Sequence, residues 1–328
     1  MSKLGTIVPI LSVPSENPSI LEASQLHQQV DPSDLELNTN SKIKMKIELR
    51  PTIDSEEIKE LGALSDLGLK NLKVRSYNSS ILDLYKYTKP LKNIQFKDLP
   101  TSGKVILLIC NPYFNTSFKL GAPVCNDCRI ISEKYLSHDY LSYCLFDETV
   151  DEFKKYLTFF LNQKFEDFVI YYSGHGVQID QFTDNLKFDY SLSKYVLSEN
   201  NEIEEDGKDE CLVFSGSNFE DAQILYDDEL TKLIKSNKCK NILMICDCCH
   251  AETLLDSLPN NTCLLTSCRD SEKAVQLIDN GIFTYYIVKF FGLPLNKLVN
   301  SLQLKLNRYY QTPSFKKSGS NREYMFLN

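Results

Sequence analysis

Two short segments carry residue types suited to acyl-transfer chemistry. Ser173-Gly174-His175-Gly176 follows the apolar run Phe168–Tyr172, and Asp247-Cys248-Cys249-His250 follows the apolar run Asn241–Cys246. A thiol that hydrolyses peptides needs a base to hold it as thiolate and N–H donors for the developing oxyanion. Of the four histidines, His27, His138, His175 and His250, only His175 lies between glycines after a buried-strand run. Gly174 and Gly176 lack side-chain bulk, so a substrate carbonyl can approach the backbone there. The N–H groups of Gly176 and Cys249 are the expected oxyanion donors. His250 adjoins the thiols, but neighbouring residues of an extended chain point opposite ways. Each segment alone also fits a plain structural role, a turn or a buried thiol. Together, each at the end of an apolar strand, they point to His175 and Cys249 as a catalytic pair, although periodicity does not separate Cys249 from Cys248.

The elements that must position this pair begin near Gly103. Val105–Cys110, Leu141–Phe146, Phe168–Tyr172, Cys211–Phe214, Asn241–Cys246 and Thr262–Thr266 have the length and composition of strands. Asn126–Leu136, Val150–Leu161, Asp227–Ile234, Phe283–Phe291 and Leu295–Leu306 have helical spacing. Buried strands alternating with helices predict an α/β fold, a mainly parallel sheet with helices on both faces. In such sheets functional residues gather beyond the carboxyl ends of the strands, where both segments fall. Residues 1–100 read as an N-terminal arm or prosegment, partly disordered, with a Ser-, Pro-, Asn- and Gln-rich stretch over 1–44. Residues 101–328 read as one domain, with an acidic insertion over about 180–209.

Composition narrows the function classes. A net charge of −8 argues against a nucleic-acid or anionic-membrane binder, which needs clustered Lys and Arg. No apolar run approaches the roughly 18 residues of a membrane span. The short apolar stretch Thr6–Val13 is broken by Pro9 and does not read as a signal peptide. Eleven scattered cysteines, odd in number, fit reduced thiols and a cytoplasmic location better than a disulfide framework. The Cys125–Cys128 pair has zinc-knuckle spacing but no second pair to complete a site.

At the two candidate segments the sequence resembles the metacaspases, caspase-like cysteine peptidases. Tyr171-Tyr172-Ser173-Gly174-His175-Gly176 is similar to the family's histidine motif, and Asp247-Cys248-Cys249-His250 to its nucleophile motif, which selects Cys249. Asp206–Glu210, Asp227–Leu230, Asn126-Asp127 and Gly281–Thr284 also match family patterns in order. The resemblance implies a caspase-like fold and a monomeric endopeptidase acting on proteins or peptides after Arg or Lys. It implies a substrate pocket of Asp127, Ser173 and Asp247, whose carboxylates suit a guanidinium or ammonium. It further implies a calcium ion held by Asp209, Asp227, Asp228 and Asp256, hard oxygen ligands of the kind calcium takes. No organic cofactor, nucleic acid or membrane is implied.

The sequence departs from the family at Ala251-Glu252, where Ser-Gly is usual; a carboxylate beside the thiol is expected to raise its pKa. Val124 replaces a cysteine, and Cys211–Ser215 lacks a proline. Lys187, Lys194 and Lys208 are candidate processing sites. The competing expectations are a caspase-fold interaction module without catalysis and a transamidase of the same clan.

Overall fold

The strands at the centre are built from β-branched, aromatic and leucine residues that bury both faces. The computed structural model describes residue 50 and residues 77–114, 116–180, 186–189, 194–197, 207–216, 222–255 and 257–318. Chain order begins with α1 (Tyr77–Leu84), β1 (Lys89–Pro90), β2 (Ser102–Cys110), α2 (Ala122–Leu136), β3 (Leu141–Phe146), α3 (Val150–Leu161) and β4 (Lys164–Ser173). It continues through β5 (Gly176–Asp180), β6 (Leu186–Asp189), β7 (Lys194–Leu197), β8 (Lys208–Ser215), β9 (Ala222–Tyr226) and α4 (Asp227–Lys235). It ends with β10 (Ile242–Asp247), β11 (Thr262–Thr266), α5 (Ile282–Lys289), α6 (Leu295–Leu306) and β12 (Ser314–Lys317).

The main sheet runs β1-β3-β2-β4-β10-β11-β12. Every pairing is parallel except β11 with β12, which is antiparallel. On one face Ile106, Leu108, Val169, Leu243 and Ile245 meet the apolar sides of α2, α5 and α6. On the other, Leu107, Ile170, Met244 and Leu264 meet α3 and α4. The helices follow local chemistry: Thr149 caps α3 by accepting the Glu152 N–H at 3.3 Å. Helix α4 opens on Asp227-Asp228-Glu229 and carries Lys232 and Lys235 in its last turn, matching the helix dipole. Leu295, Leu298, Leu302 and Leu306 line one side of α6 and are buried, each contributing about 1.5–3 kcal/mol.

The doubly covered α/β sheet predicted from the sequence is present. The predicted bounds of β3, α3, β11 and α6 agree with the structure, whereas β2, β4 and β8 run longer at their ends. Strand β1 comes from residues assigned to the N-terminal arm and pairs with Tyr143 and Cys144. Strand β12 and a small antiparallel sheet of β5, β8 and β9 were not expected as such. The insertion lies between two antiparallel neighbours: β5 and β8 pair from Gly176↔Leu212 out to Asp180↔Lys208. Lys187 and Lys194 fall on the hairpin β6–β7, paired in register with Val196 and Asp189. Among the described residues no helix is long and apolar enough to cross a membrane. All eleven cysteines are buried and free.

Candidate active site

The two candidate segments emerge side by side. Strands β4 and β10 are parallel neighbours whose last register pairs are Tyr172↔Cys246 and Ser173↔Asp247. The chain beyond each strand therefore starts from the same edge. Gly176 then packs against the nucleophile loop so closely that a Cβ there would collide with the Cys249 carbonyl oxygen. At Gly174 a Cβ would meet the hydroxyls of Tyr172 at 2.6 Å and Tyr113 at 2.8 Å. Both glycines make room for the protein's own atoms, a reason the sequence did not suggest.

His175 is fully buried. Its Nε2 donates to the Phe118 carbonyl at 2.7 Å, which fixes the tautomer. That leaves Nδ1 as the unprotonated nitrogen, buried and without a hydrogen-bond partner among the described residues. The ring stacks on Tyr113 with centroids 5.1 Å apart, and the Tyr113 hydroxyl accepts the His175 N–H at 3.1 Å. Burial pulls the imidazole pKa from its ordinary 6.5 down to about 4; the Phe118 bond opposes this and the Arg50 charge adds to it. The imidazole is therefore neutral at pH 7, with Nδ1 as the nitrogen able to accept a proton. Phe118 and Tyr113 are positioning residues the sequence did not reveal: one acts through a backbone carbonyl, the other from a loop with no motif.

Cys249 is 1% exposed, and its Sγ accepts the Ala274 N–H at 3.3 Å. Burial raises its pKa; Arg50, the Ala274 bond and Lys273 act against that, while Asp247 reinforces it. No hydrogen bond joins His175 to Cys249 in this closed arrangement. Cys248 instead belongs to the core on the α3–α4 face, and its thiol pKa is raised well above the ordinary value, first by burial. Its backbone is pinned through Ser267, which takes the Cys248 N–H at 3.2 Å and donates to its carbonyl at 2.7 Å. His250 sits in left-handed backbone conformation (φ 49°), with its Nδ1 bonded to the Asp270 carbonyl. The structure thus separates the two thiols that periodicity could not.

The expected pocket residues are brought together. A Cβ on Gly281 would collide with the Asp247 carboxylate and lie 3.1 Å from that of Asp127, so the two acids flank one point. Asp127 accepts the Gly281 N–H at 2.9 and 3.0 Å. Thr284 donates to Asp247 at 2.5 Å and stands 2.6 Å from the Tyr171 hydroxyl. Burial first, and the Asp247 charge second, raise the Asp127 pKa well above the ordinary value. Ser173 is buried, and its hydroxyl has no hydrogen-bond partner among the described residues. Into this group comes Arg50, from far upstream. Its Nη1 donates to Asp247 at 3.2 Å and its Nη2 to the Gly174 carbonyl at 2.6 Å, with both charged side chains fully buried. Burial opposes the guanidinium charge, but Asp247, Cys249, Cys248 and Asp127 outweigh it and hold its pKa above the usual value.

The acidic quartet is less complete. Asp209 and Asp227 are buried at β8 and at the start of α4, while Asp228 is paired with Lys232 at 3.5 Å. Asp256 lies outside the described residues. Among the described residues no group of three or more His, Cys, Asp or Glu is arranged to hold a metal ion. The three described carboxylates therefore do not by themselves make a calcium site. Glu210, beside Asp209, is bound to Gln178 at 2.8 Å and to Thr253 at 2.5 Å, tying β8 to the loop after the nucleophile.

Ala251 is fully buried in the α3–α4 core. Glu252 lines a cavity of about 400 Å³ with Arg269, Lys317, Leu295, Val299 and Phe315. The charges acting most on the Cys249 thiol are Arg50, Lys273 and Asp247, with Glu252 not among them.

A caspase-domain family model, peptidase family C14, matches residues 103–324. Among solved structures, a protein of Geobacter sulfurreducens known from its crystal structure is 17% identical, with 69% of this chain and 96% of that chain covered and a TM-score of 0.49. No curated protein matches.

Proposed function

Since the chain belongs to the caspase-domain family, which supports a cysteine peptidase-like function, we propose that it is a metacaspase-type endopeptidase cleaving proteins after Arg or Lys. Cys249 passes its proton to Nδ1 of His175, and the thiolate attacks the carbonyl carbon that follows the basic side chain. The N–H groups of Gly176 and Cys249 hold the oxyanion. As the C–N bond breaks, the imidazolium gives its proton to the leaving amine, which leaves an acyl-enzyme. Water, deprotonated by His175, then releases the acid and restores the thiol.

The observation that carries the specificity is Arg50: a guanidinium already lies against Asp247 and the Gly174 carbonyl, beside Asp127 and the nucleophile. An acidic side chain placed there would face two carboxylates. Arg-, Lys- and Asp-ended fluorogenic peptides, incubated with the full chain beside a Cys249→Ala control, test the whole proposal. Release after Arg or Lys that disappears in the control is expected. A folded protein silent toward all three would favour the non-catalytic interaction module.

A calcium ion on Asp209, Asp227, Asp228 and Asp256 rests on the resemblance alone, and no catalytic step is routed through it. Millimolar calcium should raise the melting temperature of the full chain, and less so after Asp228→Asn; equal melting with and without the ion removes it. A cytoplasmic location, supported by the scattered thiols, and a monomeric state, supported by the family resemblance alone, complete the proposal.

A further inference from the structure

Asp147 lies just after β3, in a different loop from either half of the dyad. Its N–H donates to the Cys110 carbonyl at 2.9 Å, which sets it beside the end of β2. One carboxylate oxygen accepts the Tyr113 N–H at 3.0 Å and the Ser215 hydroxyl at 3.1 Å. The carboxyl also takes the Phe114 N–H. Tyr113 needs such an anchor. It holds left-handed backbone (φ 49°), a conformation costly for a residue with a Cβ and adopted more readily by aspartate or asparagine than by tyrosine. Such a conformation persists only where its surroundings enforce it. The loop that Tyr113 opens closes on itself, because the Pro112 carbonyl accepts the Leu120 and Gly121 N–H groups at 3.0 and 2.9 Å. Phe118 lies inside that closed loop. Tyr113 and Phe118 therefore reach His175 together, one by its ring and hydroxyl, the other by the carbonyl that takes Nε2–H.

We propose that Asp147 is a positioning residue for the dyad: its carboxylate fixes the turn at Tyr113, and the closed loop carries that order to the His175 ring. The proposal rests on the peptidase function above and adds a residue that acts only through this loop. Burial raises the Asp147 pKa to about 6; the bonds from Tyr113, Ser215 and Phe114 oppose this, and the Glu148 charge adds to it. Facing it are Glu148 on its own loop, itself among Lys92, Glu152 and Lys155, the Tyr113 phenol across the site loop, and the uncharged Ser215 hydroxyl on β8. Protonation turns one carboxylate oxygen from acceptor to donor, so the hold on two N–H groups and a hydroxyl weakens below about pH 6. His175, with its pKa of about 4, is still neutral there. Activity is therefore present above about pH 6 and falls as pH drops through it, before the imidazole itself takes a proton.

The test uses the full-length chain. Asp147→Ala should lower kcat for an Arg-ended fluorogenic peptide about a hundredfold with KM little changed, the cost of a misplacement of about 1 Å. In the same variant the His175 imidazole should titrate above the parent's value of about 4, toward the ordinary 6.5. Nitrogen NMR of isotope-labelled histidine reads this, with the signal assigned by its absence in His175→Gln. Asp147→Asn keeps the shape and cannot titrate, so its acid limb should move from about 6 down toward 4. A purely structural role would lower its turnover at every pH and leave that midpoint in place. An unchanged His175 titration in Asp147→Ala, or an acid limb that stays near pH 6 in Asp147→Asn, overturns the proposal. Where Asp147→Ala does not fold, the Asp147→Asn midpoint alone decides. No turnover in any form, with the His175 titration moved in Asp147→Ala, would instead remove the peptidase function and leave the positioning standing.

Discussion

The Nε2 of His175 lies 2.7 Å from the carbonyl oxygen of Phe118. The bond decides which imidazole nitrogen carries the proton and leaves Nδ1 as the base. It also couples the dyad to stability. The folded pKa of about 4 lies below the ordinary 6.5, chiefly because the ring is buried. Between these values the unfolded chain binds the extra proton and the folded chain does not. The contribution is therefore complete above pH 6.5 and is lost as pH falls toward 4. Urea unfolding should show about 2 kcal/mol of stability lost between pH 7 and 5 through this group. His175→Gln should lack that component; an identical pH dependence in the variant would show that the imidazole is not held neutral.

Gly176 is a position where one methyl group is enough to test the site. Its missing side chain is the space taken by the Cys249 carbonyl, a backbone atom on a pinned loop. Gly176→Ala should cost about 1–3 kcal/mol of stability, as overpacking does. It should also lower turnover of an Arg-ended peptide by more than the stability loss explains, because the same displacement moves an oxyanion donor. A well-folded Gly176→Ala protein with unchanged turnover would take Gly176 out of the oxyanion site.

Asp247 faces Arg50 now and, on the proposed function, a substrate cation during turnover. Asp247→Asn keeps the shape and removes the charge. Losing one partner of a buried pair costs about 2–5 kcal/mol, so kcat/KM for Arg-ended peptides should fall roughly a hundredfold or more. Because the same change loosens Arg50, it is best compared with Arg50→Gln, which should raise kcat/KM. A parallel response of the two variants would mean that Asp247 serves the fold and not the substrate.

Much of this was legible in the sequence, for reasons visible in particular residues. The apolar runs ending at Cys110, Tyr172 and Cys246 are buried on both faces, so period and composition agreed and the parallel sheet followed. The side-by-side placing of Ser173 and Asp247 came from the rule that parallel neighbours end at one edge. What escaped notice acts through atoms with no side-chain signature, or across long sequence gaps. The Phe118 carbonyl has no residue-type signal. Gly281 and Thr284 looked like the opening of a helix, yet they hold the two pocket acids. Strand β12 is short and half-buried, without an alternating pattern to mark it. Arg50 sits in a stretch with no strong pattern, and only three-dimensional proximity gives it meaning.

Glu252 provides the remaining contrast between sequence and structure. From sequence, a carboxylate three residues beyond Cys249 is expected to push the thiol pKa up. In the fold, Glu252 lines the cavity shared with Arg269 and Lys317. The thiol responds to burial first, then to Arg50, the Ala274 N–H and Lys273, which lower its pKa, and to Asp247, which raises it. Alkylation of Cys249, followed by mass spectrometry of its peptide across pH, isolates the thiolate from the ten other cysteines. Glu252→Gln should leave the pH midpoint within about 0.3 of the parent, since Glu252 is not among the groups acting most on the thiol and a partly exposed charge is screened. Lys273→Ala should move the midpoint upward, because it removes a charge that favours the thiolate. A fall of a full unit in Glu252→Gln would mean that this carboxylate does act on the nucleophile, and that the departure from the family at this position weakens it.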